Sequence, residues 1–439
     1  MTGLLLTVGD EILLGQIVDT NAAWLGERLA LAGMELARTE TVGDTLEAIA
    51  GALERSTEDL VVITGGLGPT DDDLTRDAVA AWAGRALVPD PALYEAIADL
   101  YRSRGRTPPE SLVRLAEVPA GFEALDNPVG TAPGLWGTVE RGGRTVQVVM
   151  MPGVPPEMMA IAEASVLPRL ADLHAGAVAH RTLVTVGRGE TGIADRIADV
   201  AVALPEGLGL AYLPSAGSVR VRVTGRGPDA AALRRDVDAC AAAMRERLGD
   251  LVIGEGEATL EGVVLDGLSA AGRTLATAES CTGGAIASRL TAVPGASRAF
   301  VGGVVAYDNG IKLDLLSVAP EVLEAHGAVS EPVVRAMAEG VRQTLGADVG
   351  IGVTGIAGPT GGTPDKPVGT VWIAVATADA THSRLLRLTR DRGVNVALAS
   401  TYALDLVRRR VLLDAPGGPA EATRTEPDAA VLGTGESRH

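Results

Sequence analysis

Leu60-Val61-Val62-Ile63-Thr64-Gly65-Gly66-Leu67-Gly68-Pro69-Thr70-Asp71-Asp72-Asp73 passes from an apolar run straight into a glycine-rich polar loop. Four consecutive apolar residues bounded by a Gly/Pro turn read as a strand buried on both faces, and the segment beyond the loop reads as a helix starting near Leu74. The same order recurs on either side. Residues 4–8 (LLLTV) lead into Gly9-Asp10-Glu11 and an amphipathic stretch over residues 20–33, and residues 146–150 lead into Met151-Pro152-Gly153-Val154-Pro155-Pro156-Glu157-Met158. Strands alternating with helices predict βαβ units and a mainly parallel sheet. Polar loops then collect at the carboxyl ends of the strands, the edge where α/β proteins bind ligands.

Composition supports this reading. At 439 residues the chain is too long for one core, and a domain size of roughly 100 to 200 residues implies several units. Apolar residues make up 46% and aromatic residues 3%, so the cores must be built from Ala, Val, Leu and Ile, as in Val-rich parallel strands under Ala/Leu helices. The formal charge of -18 argues against nucleic acid as the main ligand, because that affinity depends on basic residues displacing counterions. Cys240 and Cys281 are the only cysteines, too few for a disulfide framework, which fits a reducing compartment. Leu4, Leu5 and Leu6 lack a basic flank and soon meet Asp10 and Glu11, so no export signal is read. No apolar run is long enough to span a bilayer. The expectation is a cytoplasmic protein without membrane partners.

Of 38 basic residues only Lys312 and Lys366 are lysines. Arg stays protonated, whereas Lys can lose its proton when desolvated, so these two positions are where a neutral amine could serve chemistry. Exposed placement on a solvated surface is the alternative.

The pattern changes between His180 and Leu251 to a short strand, a helix, a hairpin around residues 215–217 and a helix over residues 229–248, a small α+β module. Val219, Val221 and Val223 alternate with Arg220, Arg222 and Thr224, a half-buried strand whose arginines suit a solvated face or a ligand surface. The expected domains are residues 1–168, 175–252 and 258–413, followed by a Pro/Gly/Glu/Thr-rich tail, residues 414–439, that cannot bury enough apolar surface to order itself.

In the third unit Arg273-Thr274-Leu275-Ala276-Thr277 reads as a strand, and Ala278-Glu279-Ser280-Cys281-Thr282-Gly283-Gly284 turns it into a helix. Ser280 then sits where helix-start N–H groups are expected unpaired and able to stabilise an oxyanion or phosphate. A serine there also suits plain helix capping. A second apolar run, residues 299–306, ends in Tyr307-Asp308-Asn309-Gly310-Ile311-Lys312. If the two strands are parallel, Tyr307 and Lys312 reach the edge that holds Ser280. A serine hydroxyl needs a base in reach, no histidine is well placed, and a desolvated Lys312 with Tyr307 as relay or orienting partner would serve. Tyr307 packing and Lys312 as a surface charge is the alternative. A third strand, residues 349–353, leads into Thr354-Gly355-Ile356-Ala357-Gly358-Pro359, a loop able to form an anion-binding nest, and another strand follows over residues 368–376.

AESCTGG (278–284), GGVVAYDNGIK (302–312), HGAVSEPV (326–333) and VTGIAGPTGGTPDKPVGTV (353–371) together resemble the nicotinamide-nucleotide amidase domain of the CinA family. The resemblance implies a three-layer α/β domain that hydrolyses nicotinamide mononucleotide to nicotinate mononucleotide and ammonia without a cofactor. Ser280 would be the nucleophile, with Tyr307 and Lys312 activating it and protonating the leaving group. Thr282, Gly283, Gly284, Asn309, Thr354, Gly355, Ile356, Ala357, Gly358 and Arg392 would line the substrate site. Arg392 suits a phosphate or carboxylate contact, and equally an exposed arginine at a helix start. Cys281 is intrinsically the stronger nucleophile, but the family pattern favours Ser280.

GDEILLGQIVDTNAAWL (9–25), TGGLGPTDDDLT (64–75) and MPGVPPEM (151–158) resemble the molybdopterin-binding-like three-layer α/β domain that opens full-length CinA proteins. The implied activity is metal-dependent cleavage of ADP-ribose-like pyrophosphates, in pyridine-nucleotide salvage. Gly65, Gly66, Gly68, Thr70, Glu11 and Asn21 would hold the nucleotide, and Asp71, Asp72 and Asp73 would hold Mg²⁺ or a similar ion. The aspartates also suit capping of the following helix. Leu67 stands where molybdopterin-handling relatives usually carry Thr, and Asp10 where many CinA members place Thr. The middle module resembles the family's KH-like insert, and the resemblance implies a homodimer acting on small nucleotides. Two rivals remain: a molybdopterin-type binding protein, and a non-enzymatic competence or DNA-damage adaptor.

Overall fold

The computed structural model describes residues 1–173 and 176–413. The 414–439 tail lies outside the described residues. The described residues divide into two compact units, the first made of residues up to 179 with Arg226–Leu233, the second of His180–Gly225 with residues 234–413.

A six-stranded sheet forms the first unit, in the order Glu35–Val42, Thr2–Val8, Leu60–Thr64, Arg144–Met151, Gly134–Arg141, Glu123–Leu125. The first four strands are parallel, and the last two join antiparallel. Period-two alternation builds both faces. Leu4, Leu6, Val61, Ile63, Val148 and Met150 pack with Ile49, Leu53, Val79 and Trp82 on one side. Leu5, Leu60, Val62, Val149 and Met151 pack with Leu25, Leu29, Met158 and Ile161 on the other. The result is three layers.

The small module forms a sheet ordered Leu208–Ser215, Ser218–Gly227, Ala177–Val186, Val252–Glu255. Val219, Val221 and Val223 are buried, as their alternation predicts. A five-stranded sheet follows, ordered Phe300–Val305, Leu275–Glu279, Val349–Gly355, Thr370–Ala376, Thr381–Arg387. The first three strands are parallel and the last two antiparallel. Each large sheet therefore has the expected parallel run and adds an antiparallel pair at one edge. An apolar run buried on both faces, such as Thr370–Ala376, carries no mark of its direction. Ala276 and Ala278 face Val333, Met337, Val341 and Leu316, while Leu275 and Cys281 join the opposite core with Leu268, Ile286 and Ala399. That parity decides where the side chains of the following turn go.

Candidate active site

The peptide joining Glu279 to Ser280 is clamped by both neighbouring strands: Ser280 N–H donates to the Val353 carbonyl at 3.0 Å, and Ala306 N–H donates to the Glu279 carbonyl at 2.8 Å. Beyond it the chain bends through Gly283 and Gly284, whose φ angles of 62° and 97° lie in the left-handed region that glycine adopts at least cost. The helix Ala285–Thr291 starts there.

Glu279, only 1% exposed, turns its carboxylate back over this helix start. It accepts from Gly284 N (3.1 Å), Ile286 N (3.0 Å) and Ala287 N (2.8 Å). The helix start is therefore not left unpaired, which corrects the expectation from sequence; a carboxylate from the preceding strand already occupies it. Ser280 is half-buried, and among the described residues its hydroxyl has no hydrogen-bond partner. Cys281 points into the opposite core, where burial pushes its thiol up to about 12. It is thus a poor thiolate, and the neighbouring hydroxyl is the group left for nucleophilic work.

Lys312 lies in the short helix Asn309–Asp314 and is 1% exposed. Its Nζ donates to the carbonyls of Ala306 (2.8 Å) and Tyr307 (3.3 Å), and among the described residues no carboxylate forms an ion pair with it. A neutral amine has two N–H donors and one lone pair. The two carbonyls match those donors, and a third hydrogen would be buried without an acceptor. Burial lowers the pKa of this amine, with the Asp308 carboxylate opposing, and its charge is felt at Cys281. No hydrogen bond joins Nζ to the Ser280 hydroxyl in this structure.

Tyr307 is 62% exposed, and its hydroxyl accepts from Arg392 Nη2 at 3.0 Å. Arg392 Nη1 also donates to the Gly358 carbonyl at 3.0 Å, so one guanidinium joins two motif segments to its own helix start. The Tyr307 hydroxyl is bonded to neither Ser280 nor Lys312, which reaches Tyr307 only at its carbonyl. Asn309 is exposed at the helix start. Thr354 donates to the Ala328 carbonyl at 2.9 Å, Gly355 ends its strand, Ile356 N–H bonds the Thr370 carbonyl, and the Ala357 carbonyl accepts from Asn395 Nδ2 at 2.9 Å. Asn395, fully enclosed, also accepts from Thr389. The sequence reading missed Asn395 and Glu279. Glu279 left one signal, a carboxylate ending an otherwise apolar strand. Lys366 ties its loop to the His326 carbonyl at 2.9 Å, a structural role.

In the first unit three motifs meet at one sheet edge. Asn21 Nδ2 donates to the Gly153 carbonyl at 2.7 Å, and Thr64 Oγ1 donates to the Pro152 carbonyl at 3.0 Å. Asn21 Oδ1 is buried without a partner. Gly65 has φ 105°, and a Cβ there would sit 2.2 Å from the Val8 carbonyl oxygen. Among the described residues, the N–H groups of Gly66, Leu67 and Gly68 have no acceptor. Behind them lies Arg76, 1% exposed and donating to the Gly68 carbonyl at 2.6 Å. Burial, then Arg114, pushes its pKa down to about 10, which still leaves it charged at neutral pH.

The aspartates do not act as expected. Asp73 accepts from the N–H and hydroxyl of Thr70, and the helix Thr75–Ala83 begins without a side-chain cap. Asp71 and Asp72 are exposed, as is Glu11. Asp44 is raised by burial and by the charges of Asp10, Glu11 and Asp72, yet among the described residues no three His, Cys, Asp or Glu side chains are gathered to hold a metal. Asp71, Asp72 and Asp73 therefore make neither a cage nor a cap, because the third closes its own turn. The residues present do not fit a protein-held divalent ion. Among the described residues no helix is long and apolar enough to cross a membrane.

Residues 257–411 match the family model described as the CinA C-terminal domain, residues 4–172 a probable molybdopterin binding domain, and residues 180–254 the damage-inducible protein CinA KH domain. A CinA-like protein of Salinibacter ruber is 50% identical, covering 93% of this chain and 99% of the relative. One of Gemmatimonas aurantiaca is 42% identical, covering 92% and 95%. Among solved structures, the protein CinA of Thermoplasma acidophilum, described as of unknown function, is 37% identical, covering 37% of this chain and 94% of that one at a TM-score of 0.33.

Proposed function

The chain belongs to the CinA family, and from that premise we propose that its C-terminal domain hydrolyses the carboxamide of nicotinamide mononucleotide, with Ser280 as nucleophile and Lys312 as proton acceptor. The observation that carries this reading is the buried amine of Lys312, whose two carbonyl acceptors account for the donors of its neutral form and leave a lone pair for a proton.

The chemistry balances without a cofactor. Ser280 Oγ bonds the amide carbon while its proton passes to Lys312 Nζ, and the carbonyl π pair moves onto oxygen. The pair returns as the C–N bond breaks, and the Lys312 proton leaves with the amide nitrogen as ammonia. Water then attacks the ester, again giving its proton to Lys312, and Ser280 departs with that proton. Nicotinate mononucleotide is released. Arg392, already joined to Tyr307 and Gly358, is the cation at hand for the substrate phosphate.

The test is ammonia release from nicotinamide mononucleotide by the purified protein, with and without chelator. Release that survives chelation and is lost in Ser280→Ala supports the reading, and equal release from Ser280→Ala rejects it.

The first unit has its own supporting observation, three successive uncommitted N–H groups at Gly66, Leu67 and Gly68 over a buried guanidinium. This suits a nucleotide diphosphate, consistent with pyrophosphate cleavage in the same salvage chemistry. No step there is assigned to a metal. ADP-ribose turnover with added Mg²⁺ tests it, and co-purified molybdopterin without turnover would favour a binding role.

A further inference from the structure

Most backbone donors in the turn after Ser280 are already committed. Of the eight N–H groups from residue 280 to residue 287, six have an acceptor inside the chain: Val353, Ser280 and Thr282 carbonyls take one each, and Glu279 takes three. Those of Cys281 and Thr282 have none among the described residues. Both residues are buried, at 7% and 4% exposed, where unmatched N–H groups are rare and costly. The Thr282 hydroxyl is likewise buried without a partner. Three donors on two adjacent residues, directly after the serine, therefore lack an oxygen.

We infer that the N–H groups of Cys281 and Thr282, with the Thr282 hydroxyl, form the oxyanion cradle of this site, and that Glu279 is the positioning residue that shapes it. The inference rests on the amide-hydrolysis reading and adds to it the groups that stabilise the charged oxygen.

Glu279 explains why the cradle is so small. By taking the N–H groups of Gly284, Ile286 and Ala287, it removes the helix start from competition for a phosphate. What remains is two N–H groups and one hydroxyl. A neutral amide carbonyl that becomes negative only as Ser280 adds to it gains the full benefit of donors fixed beforehand. The cradle therefore selects an amide or ester carbonyl over a carboxylate or phosphate.

Thr282→Val keeps the shape and removes one donor, and Thr282→Ser restores it. The valine variant is expected to lower kcat for ammonia release about a hundredfold, the loss typical of removing one such donor, with KM little changed and serine recovering most of the rate. The penalty should shrink on the thioamide analogue of nicotinamide mononucleotide, because sulfur accepts hydrogen bonds poorly. Equal penalties on amide and thioamide, or a rise in KM with kcat intact, would overturn the cradle while leaving amide hydrolysis standing. Ammonia release that persists in Ser280→Ala would instead defeat the underlying reading. Glu279→Gln should likewise lower kcat rather than raise KM; a KM effect alone would remove its positioning role.

Discussion

Two glycine turns, one in each unit, follow a buried strand of a parallel run and carry an acidic residue, yet they are wired in opposite senses. After Leu60–Thr64 the acidic side chain comes late: Asp73 folds back onto Thr70, three successive N–H groups stay uncommitted, and the buried charge behind them is the guanidinium of Arg76. After Leu275–Glu279 the acidic residue comes first: Glu279 takes three N–H groups, two stay uncommitted, and the charge behind them is negative. The first arrangement offers three donors backed by a cation, which suits a phosphate, and the second offers two N–H groups directly after a serine, which suits a single carbonyl oxygen. Glycines alone do not distinguish a phosphate loop from an oxyanion turn; where the acidic residue falls, and so which N–H groups it leaves uncommitted, does.

The sharpest way to break this contrast is at Lys312. Lys312→Met should lower kcat for ammonia release about a thousandfold, within the range for loss of a positioned general base, while leaving ADP-ribose binding to the first unit unchanged. Its effect on stability has a definite sign. Burial holds the folded pKa below the ordinary lysine value, with Asp308 opposing, so between the two values the unfolded chain binds more protons. Stability therefore rises with pH through that window, and denaturant titrations should show Lys312→Met flattening the rise.

Gly65→Ala attacks the other turn. With φ at 105° and a Cβ placed 2.2 Å from the Val8 carbonyl oxygen, it should destabilise the first unit by roughly 3 kcal/mol or more, read by urea unfolding. Arg76→Met is milder. Removing the charge behind the loop should weaken ADP-ribose binding about tenfold by calorimetry, the scale of one lost charge contact, with ammonia release unaltered; loss of both activities would deny the contrast. Cys281→Ala should have the least effect. A thiol held up to about 12 contributes no nucleophile, so ammonia release should stay within about twofold of wild type, and the native protein should resist iodoacetamide at this position.

Much of this was legible in the chain. Runs such as residues 60–63 and 275–278 announce buried strands, and the motif order places Ser280, Tyr307 and Lys312 in successive strand-end segments of one sheet. Three things were not legible, each for a physical reason. Thr370–Ala376 joins its neighbour antiparallel, but burial on both faces erases the pattern that would have shown it. Asp71, Asp72 and Asp73 read as a ligand set because one-dimensional spacing cannot show that Asp73 turns onto Thr70. Glu279 reads as a strand residue because its role depends on strand parity, which sends it toward the helix Ala285–Thr291 and Cys281 into the core beside it. Asn395 was hidden for a similar reason, its contacts with Thr389 and Ala357 being made only once helix and loop are packed.

The most direct test is the pH dependence of kcat/KM for ammonia release from nicotinamide mononucleotide, compared between wild type and Lys312→Met. The wild type should rise with a one-proton slope to a plateau below the pH at which an ordinary lysine would titrate, and the variant's residual rate should lack that limb. The same limb persisting without Lys312, or a wild-type rate that falls as its amine loses the proton, would contradict the claim that a buried neutral lysine activates Ser280.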